Sequence, residues 1–377
     1  MKKKILFLTG TRADFGKLKT LISSVDKHND FEYTIFATGI HLLAKYGYTV
    51  KEIYRSGFEN VFTYMNQIEG EDMEIVLANT IVGLSRYLHE HPVDMIVVHG
   101  DRVEALAGAT TGALRNTLVA HIEGGEISGT IDELMRHAIS KLSHIHFVAS
   151  EVAEKRLQQL GEDPSTIFRI GSPDVDVMLS TNLPSLELAR ERYQIPFESY
   201  GVAILHPVTT EYEKQEEHAN IFVKTLLESN QNYIAVYPNN DHGSEFIFKA
   251  YKKLEGHKNI RLFPSLRFEY FLRFLKDARF LIGNSSAGVH EAPIYGVPTI
   301  NIGTRQRNRF YHESIFDIDF DTSQILNKIS DFHEHTRYEL CTYYGDGNSA
   351  EKFMEALESE AWKIANQKQF KDLNKNV

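Results

Sequence analysis

Short apolar runs recur along this chain, and polar, helix-periodic stretches separate them. Ile5 to Leu8, Tyr33 to Ala37, Met95 to Val98, Leu118 to Ile122 and Ile145 to Ala149 form a first series. Val202 to Leu205, Tyr233 to Tyr237, Ile260 to Phe263, Phe280 to Ile282 and Thr299 to Ile302 form a second. Such runs, ended by Gly and polar residues, read as strands buried on both faces, and strands alternating with helices imply a parallel sheet covered by helices. The pattern predicts an α/β protein of two doubly wound parallel-sheet domains in tandem. The polar, turn-forming stretch Ser180-Thr-Asn-Leu-Pro-Ser185 sets their boundary, giving domains over 1–180 and 181–350. Asn348 followed by Glu351 resembles a capping box, so a last helix is expected over the periodic segment Ala350 to Ile364. The rest of 351–377, polar after Asn366, is expected to fray. No internal repeat is visible.

Composition narrows the class. The 377 residues are 42% hydrophobic and 24% charged, as in an ordinary soluble protein with two sizeable cores. No apolar run approaches the ~18 residues that span a bilayer. The run after Met1-Lys-Lys-Lys stops at Thr9-Gly10, too soon for a secretory segment. A lone cysteine, Cys341, excludes an intrachain disulfide and a multi-cysteine metal site. A cytoplasmic enzyme without membrane attachment is expected. The net charge of -10 argues against nucleic acid as a partner, which needs a basic face. Local basic clusters matter more, and Arg305-Gln-Arg307-Asn-Arg309 is the clearest, although it also reads as a solvated loop.

The strand ends carry the chemistry. Open α/β sheets bind ligands beyond the carboxyl ends of their strands. Met95 to Val98 leads into His99-Gly-Asp101-Arg102, and Leu118 to Ile122 into Glu123-Gly-Gly-Glu126, with Asp132 and Glu133 close behind. Alone, Asp101 reads as a helix N-cap and Glu123 as a strand-end ion pair. Repetition at strand ends favours convergent carboxylates, which suit proton transfer at carbon and stabilisation of a sugar cation. Glu133 with Arg136 or His137 also fits a plain surface pair. Gly10-Thr-Arg12 through Gly16-Lys17 resembles an anion-binding turn at a helix start, without Walker A or dinucleotide-motif spacing, and reads equally as a structural turn. In the second half, Gly283-Asn-Ser285-Ser286-Ala-Gly288 links a strand to a helix through small residues that suit a diphosphate, and Glu291 suits ribose hydroxyls. His206 and Asn239 follow other strands. No cluster has metal-ligand spacing.

Taken in order, Gly10-Thr-Arg12, His99-Gly-Asp101-Arg102, His121-Ile-Glu123-Gly-Gly-Glu126, Asp132 to His137, His206-Pro-Val-Thr-Thr-Glu211 and Gly283 to Pro298 resemble the UDP-N-acetylglucosamine 2-epimerases, from about residue 5 to about 365. The resemblance implies a GT-B fold, two Rossmann-like domains with a cleft between them and a last helix packing back on the first. It implies UDP-N-acetylglucosamine and UDP as ligands, no cofactor, and a homodimer or homotetramer. His206 to Glu211 and Gly129 to His137 resemble the hydrolysing branch, which releases N-acetylmannosamine for sialic acid synthesis. By the same comparison Asp101, Glu123, Asp132, Glu133 and His206 are catalytic. Arg12, Lys17, Arg102, Asn239, Ser285, Ser286, Gly288, Glu291 and Arg305 or Arg307 hold the UDP-sugar. The alternatives are a hydrolysing epimerase of a UDP-linked diacetamido sugar, a non-hydrolysing epimerase, a GT-B glycosyltransferase, and a silent UDP-sugar sensor.

Overall fold

The computed structural model describes residues 2–127, 131–238, 243–307, 309–369 and 371. The chain divides into two compact units. Met1–Leu179 with Tyr343–Val377 form the first, and Ser180–Thr342 the second.

In the first unit the strands are β1 (Lys3–Thr9), β2 (Phe31–Ala37), β3 (Val61–Thr63), β4 (Met95–His99), β5 (Leu118–Ile122), β6 (Ile145–Val148) and β7 (Ile167–Arg169). They form a sheet in the order β3-β2-β1-β4-β5-β6-β7, parallel throughout. Side chains alternate across a strand, and both faces here are apolar. Ile5 and Phe7 of β1 join one core with Met95 and Val97 of β4. Leu6 and Leu8 join the opposite core with Ile96 and Val98.

The second unit holds β8 (Gly201–Ile204), β9 (Tyr233–Val236), β10 (Ile260–Phe263), β11 (Leu281–Gly283), β12 (Thr299–Ile302) and β13 (Ile315–Ile318). Its order, β10-β9-β8-β11-β12-β13, repeats that of the first sheet without any visible sequence repeat. In each sheet the order reverses beside the first strand, at β1/β4 and at β8/β11. Ligands of such sheets bind at these switch points.

The short strands β3, β7 and β13 were not expected from the apolar pattern, because three or four residues with partial burial leave little signal. The last helix, Ser349–Ser359, begins at Asn348 as expected, but Asn348 makes no side-chain cap. Asp176 supplies it, accepting from Ser349 N and Ala350 N at 2.9 Å each. This helix buries Phe353 and Leu357 in the first unit's core, with the Phe353 ring 4.7 Å from that of Phe147. The return to the first unit starts at Tyr343, ahead of the expected 351. Ser172 N donates to Tyr344 O at 2.6 Å, and Gly171 lies so close to Gly345 that a Cβ would stand 3.0 Å from its Cα. Among the described residues from Asn366 on, where fraying was expected, Asn366 Nδ2 donates to Asn116 O at 2.8 Å and Lys368 bonds three carbonyls. No helix among the described residues is long and apolar enough to cross a membrane.

Candidate active site

In the first unit Glu123 ends β5 with φ +62°, a region costly for any residue but Gly. Its amide donates to Phe147 O at 2.8 Å, so the bend occurs while the backbone is still paired to β6. The turned side chain meets three partners. Lys17 Nζ lies 2.7 Å and His99 Nε2 3.0 Å from Oε2, and Ser172 Oγ donates to Oε1 at 2.5 Å. Lys17 also reaches Asp174 Oδ2 at 3.1 Å. Burial pushes the Glu123 carboxyl up, but Lys17 and His99 outweigh it and hold the group well below the usual carboxylate range. Burial likewise opposes the Lys17 ammonium, yet Asp174 and Glu123 hold it protonated above the lysine range. Asp174 moves the other way, raised by burial despite Lys17 and with the Glu123 charge adding to the rise. Glu126 is also raised, by burial first and then by the Glu123 charge.

Asp101 follows β4 and is paired with Arg136, whose guanidinium also donates to Glu123 O at 3.4 Å. Arg136 lies on the helix Ile131–Leu142, one turn beyond Asp132 and Glu133. Glu133 pairs with His137 at 3.8 Å on the same helix, the surface pairing that the spacing allowed. A buried histidine ties this helix to the sheet. His121 Nε2 donates to Gly100 O at 2.7 Å, so Nδ1 accepts from Ser140 Oγ at 3.0 Å.

Two expectations change here. The Gly10 turn does not offer its amides to a ligand, since Asp14 accepts from Gly10 N at 2.9 Å, Thr11 N at 2.8 Å and Phe15 N at 2.9 Å. Thr11 and Asp14 form a full capping box. Lys17, expected at a diphosphate, lies among carboxylates. Arg12 is exposed at the start of the helix Arg12–Asp26. Arg102 is half exposed, 3.6 Å from Glu104.

In the second unit the switch point is closed by an amide. Asn284, after β11, accepts from His206 N at 2.7 Å and donates to His206 O at 2.8 Å, continuing the ladder between β8 and β11 with its side chain. Gly283 before it has φ +135°, and a Cβ there would strike the Ile204 carbonyl. Arg305 Nη1 and Gln306 Nε2 donate to Asn284 O at 3.0 and 3.1 Å. Burial, and then the Arg305 charge, lower His206 to about 4, so its ring is neutral near pH 7. Arg307 instead pairs with Asp319 at 2.8 Å on the surface. Arg305, not Arg307, stands beside His206. In the following loop Ala287 N donates to Ser285 Oγ at 3.3 Å and Gly288 N to Ser285 O at 3.1 Å. These amides are used internally, leaving the Ser285 and Ser286 hydroxyls as donors. Gly288 is required by packing, as a Cβ would lie 2.6 Å from Thr299 Cγ2. Glu291 opens the short helix Glu291–Ile294. Asn239 lies outside the described residues.

Beyond the expected residues, the structure adds Asp174, Ser172 and Asn284. After β7, a strand with no clear pattern, Ser172 stands just before the helix Pro173–Leu179 and Asp174 in its first turn, and nothing in the sequence linked them to Glu123. Asn284 sat within a loop read for its serines and for the amides near Ala287 and Gly288.

A family model described as UDP-N-acetylglucosamine 2-epimerase matches residues 23–358. A UDP-N-acetylglucosamine 2-epimerase of Neisseria meningitidis serogroup B is 49% identical, covering 99% of this chain and 100% of its own. A hydrolyzing UDP-N,N'-diacetylbacillosamine 2-epimerase of Legionella pneumophila is 31% identical over 95% of this chain and 96% of its own. A crystal structure of a UDP-GlcNAc 2-epimerase from Neisseria meningitidis bound to UDP-GlcNAc superimposes with a TM-score of 0.77 at 18% identity, covering 94% of this chain and 99% of that one. This last likeness shows the shared GT-B-like fold.

Proposed function

The chain belongs to the UDP-N-acetylglucosamine 2-epimerase family, and from that premise we propose that it is the hydrolysing form. It converts UDP-N-acetylglucosamine and water to N-acetylmannosamine and UDP, a step towards sialic acid, as a cytoplasmic homo-oligomer. The observation that carries this is the glutamate pair after β5. Glu123 is kept anionic by Lys17 and His99, while Glu126 is pushed toward its neutral form. Neighbouring acids with opposed ionisation suit a reaction that needs both a fixed anion and a proton carrier.

The C2 hydrogen of an N-acetylhexosamine has no adjacent carbonyl, so a side-chain base cannot remove it directly. In the proposed route the C1–oxygen bond breaks first and its electron pair leaves with UDP. The oxocarbenium-like C1 then acidifies the C2 hydrogen. Glu123 and Asp101, held in place by Lys17 and Arg136, stabilise that cation, with Asp132 and Glu133 completing the acid set. Loss of the C2 proton gives a C1–C2 double bond. Water adds at C1, C2 is protonated from the opposite face to give the manno sugar, and one proton is released overall. For the nucleotide, Arg305 and the Ser285 and Ser286 hydroxyls suit the diphosphate, Glu291 the ribose, and neutral His206 offers a hydrogen bond without repelling Arg305. Arg12 and Arg102 are further candidate cations.

Incubation with UDP-N-acetylglucosamine in heavy water, followed by proton NMR, tests this. Free N-acetylmannosamine deuterated at C2 with equimolar UDP is expected; intact UDP-N-acetylmannosamine would refute hydrolysis. The Legionella relative supports a second reading, a UDP-linked diacetamido sugar as substrate. Turnover of that sugar alone would establish it.

A further inference from the structure

We propose that Lys368 is a positioning residue for the reaction, strapping down the far end of the helix that carries Asp132, Glu133 and Arg136; this rests on the function proposed above. That helix, Ile131–Leu142, is tied to the site near its middle by Arg136 on Asp101, and its last turn meets β5 through Ser140 on His121. At any helix end the last carbonyls lack the next turn's amides, and here Ser143 N serves Ile139 O at 3.0 Å and Ser140 O at 3.2 Å. Lys368 Nζ donates to Ser140 O at 3.2 Å, Lys141 O at 2.9 Å and Ser143 O at 2.7 Å. A cation there also complements the negative end of the helix dipole.

The ammonium is fixed in turn by a buried acid. Glu162, 1% exposed in its side chain, pairs with Lys368, with Lys141 at 3.0 Å and with His146 at 3.0 Å. Burial opposes ionisation of Glu162, but His146 and Lys368 bring it down to about 2. Neighbouring residues of segment 366–369 hold the strap in register. His144 takes a hydrogen bond from Val119 N on Nδ1 at 3.1 Å, so its Nε2 donates to Asn366 O at 2.9 Å. Asn366 then reaches Asn116, in the turn between the helix Val103–Leu114 and β5. These contacts gather at the starts of β5 and β6, the end of the sheet opposite the carboxylates, and pass rigidity along one helix. A surface lysine would need none of them.

The test compares Lys368→Met, Lys368→Gln and Lys368→Arg with the wild type by amide hydrogen exchange and steady-state kinetics. In Lys368→Met, exchange over 131–142 should quicken about tenfold, as loss of a helix-end partner implies, while β1, β4 and β5 stay protected. kcat should fall between about tenfold and a hundredfold from the loosened acids, with UDP inhibition unchanged. Lys368→Arg should restore both, and Lys368→Gln, which keeps a donor without the charge, should fall between. If Lys368→Met does not fold, the Gln variant carries the comparison. Exchange within twofold of wild type, protection lost evenly across the sheet, or altered exchange with unchanged kcat would each overturn the proposal. A wild type without turnover would sink the proposed function, and the exchange data would still judge the strap.

Discussion

Replacing Lys17 by Met removes the cation that Glu123 and Asp174 share. Breaking a buried ion pair by deleting one partner costs about 3–5 kcal/mol, because the remaining charge has no compensation. The Lys17 side chain is 25% exposed, which places the cost near the lower end, about 3 kcal/mol. In a unit of about two hundred residues, each kcal/mol moves the melting temperature by roughly 2–4 °C, so a fall of roughly 6–12 °C is expected near pH 8. The fall must also depend on pH. In the wild type the depressed Glu123 group stabilises above its unfolded pKa, and that contribution is lost as pH falls through the folded value. In the variant the crowded pair takes up a proton on folding, so its folded pKa lies above the unfolded one. Such a group stabilises fully below the unfolded pKa and loses this as pH rises through the folded value. Between pH 8 and pH 5 only the second acts, because the unfolded Glu123 value of 4.5 lies below that range, and it shrinks the deficit toward pH 5. Melting followed by near-ultraviolet circular dichroism at pH 8 and pH 5 measures it. A fall below about 3 °C at pH 8, or one equal at both pH values, would refute the reasoning. So would an unchanged melting temperature with lost UDP binding, the outcome if Lys17 served the diphosphate.

His206, lowered to about 4 from an ordinary 6.5, contributes stability above pH 6.5 that is lost as pH falls toward 4. That is about 3 kcal/mol, and His206→Gln should flatten this part of the stability curve in urea titrations; an unchanged slope would count against a buried neutral ring. Asp176→Ala should cost about 1–2 kcal/mol in the same assay by uncapping Ser349–Ser359, against less than about 0.5 kcal/mol for Asn348→Ala, and the reverse ranking would be wrong for this cap. Arg305→Met should weaken UDP inhibition about tenfold or more, since a charge-assisted bond contributes about 1.5–3 kcal/mol, and Arg307→Met should change it less than about twofold. Equal effects would place the anion elsewhere.

What the sequence made legible followed the physics of burial. Strands such as β5 and β12 are buried at every position because both faces are covered, and their expected bounds coincide with the observed elements. β3 and β7 are short and partly exposed, so no period of 2 or run of apolar residues marks them. Asp101 and Glu123 stood out because strand ends are where such sheets expose side chains. Their partners did not, because Lys17 and Ser172 reach Glu123, and Asp174 reaches Lys17, from elements distant in the chain, and spacing along the chain says nothing of that. The Gly10 turn, which read equally as an anion site and as a structural turn, could not be resolved from glycine content, because Asp14, four residues on, satisfies amides that glycine content alone leaves open. The last helix's start was visible in Asn348, but its cap comes from residue 176, beyond any local motif.

The two sheets share one strand order, so what distinguishes the units is what closes each switch point. After β1 the turn amides are occupied by the Asp14 carboxylate, with Glu104 buried beneath Gly10 and Gly39. Asp101, Glu123 and Asp174 add further negative charge, offset by Lys17 and Arg136 in direct pairs. An anionic diphosphate would have to displace those pairings, whereas a developing cation gains from them. After β8 the closing group is the neutral amide of Asn284, and Arg305 stands against it beside an uncharged His206. The same topological position is thus lined by paired carboxylates in one unit and by Arg305 beside neutral groups in the other. On electrostatics alone, cation chemistry at the sugar suits the first unit and diphosphate binding the second.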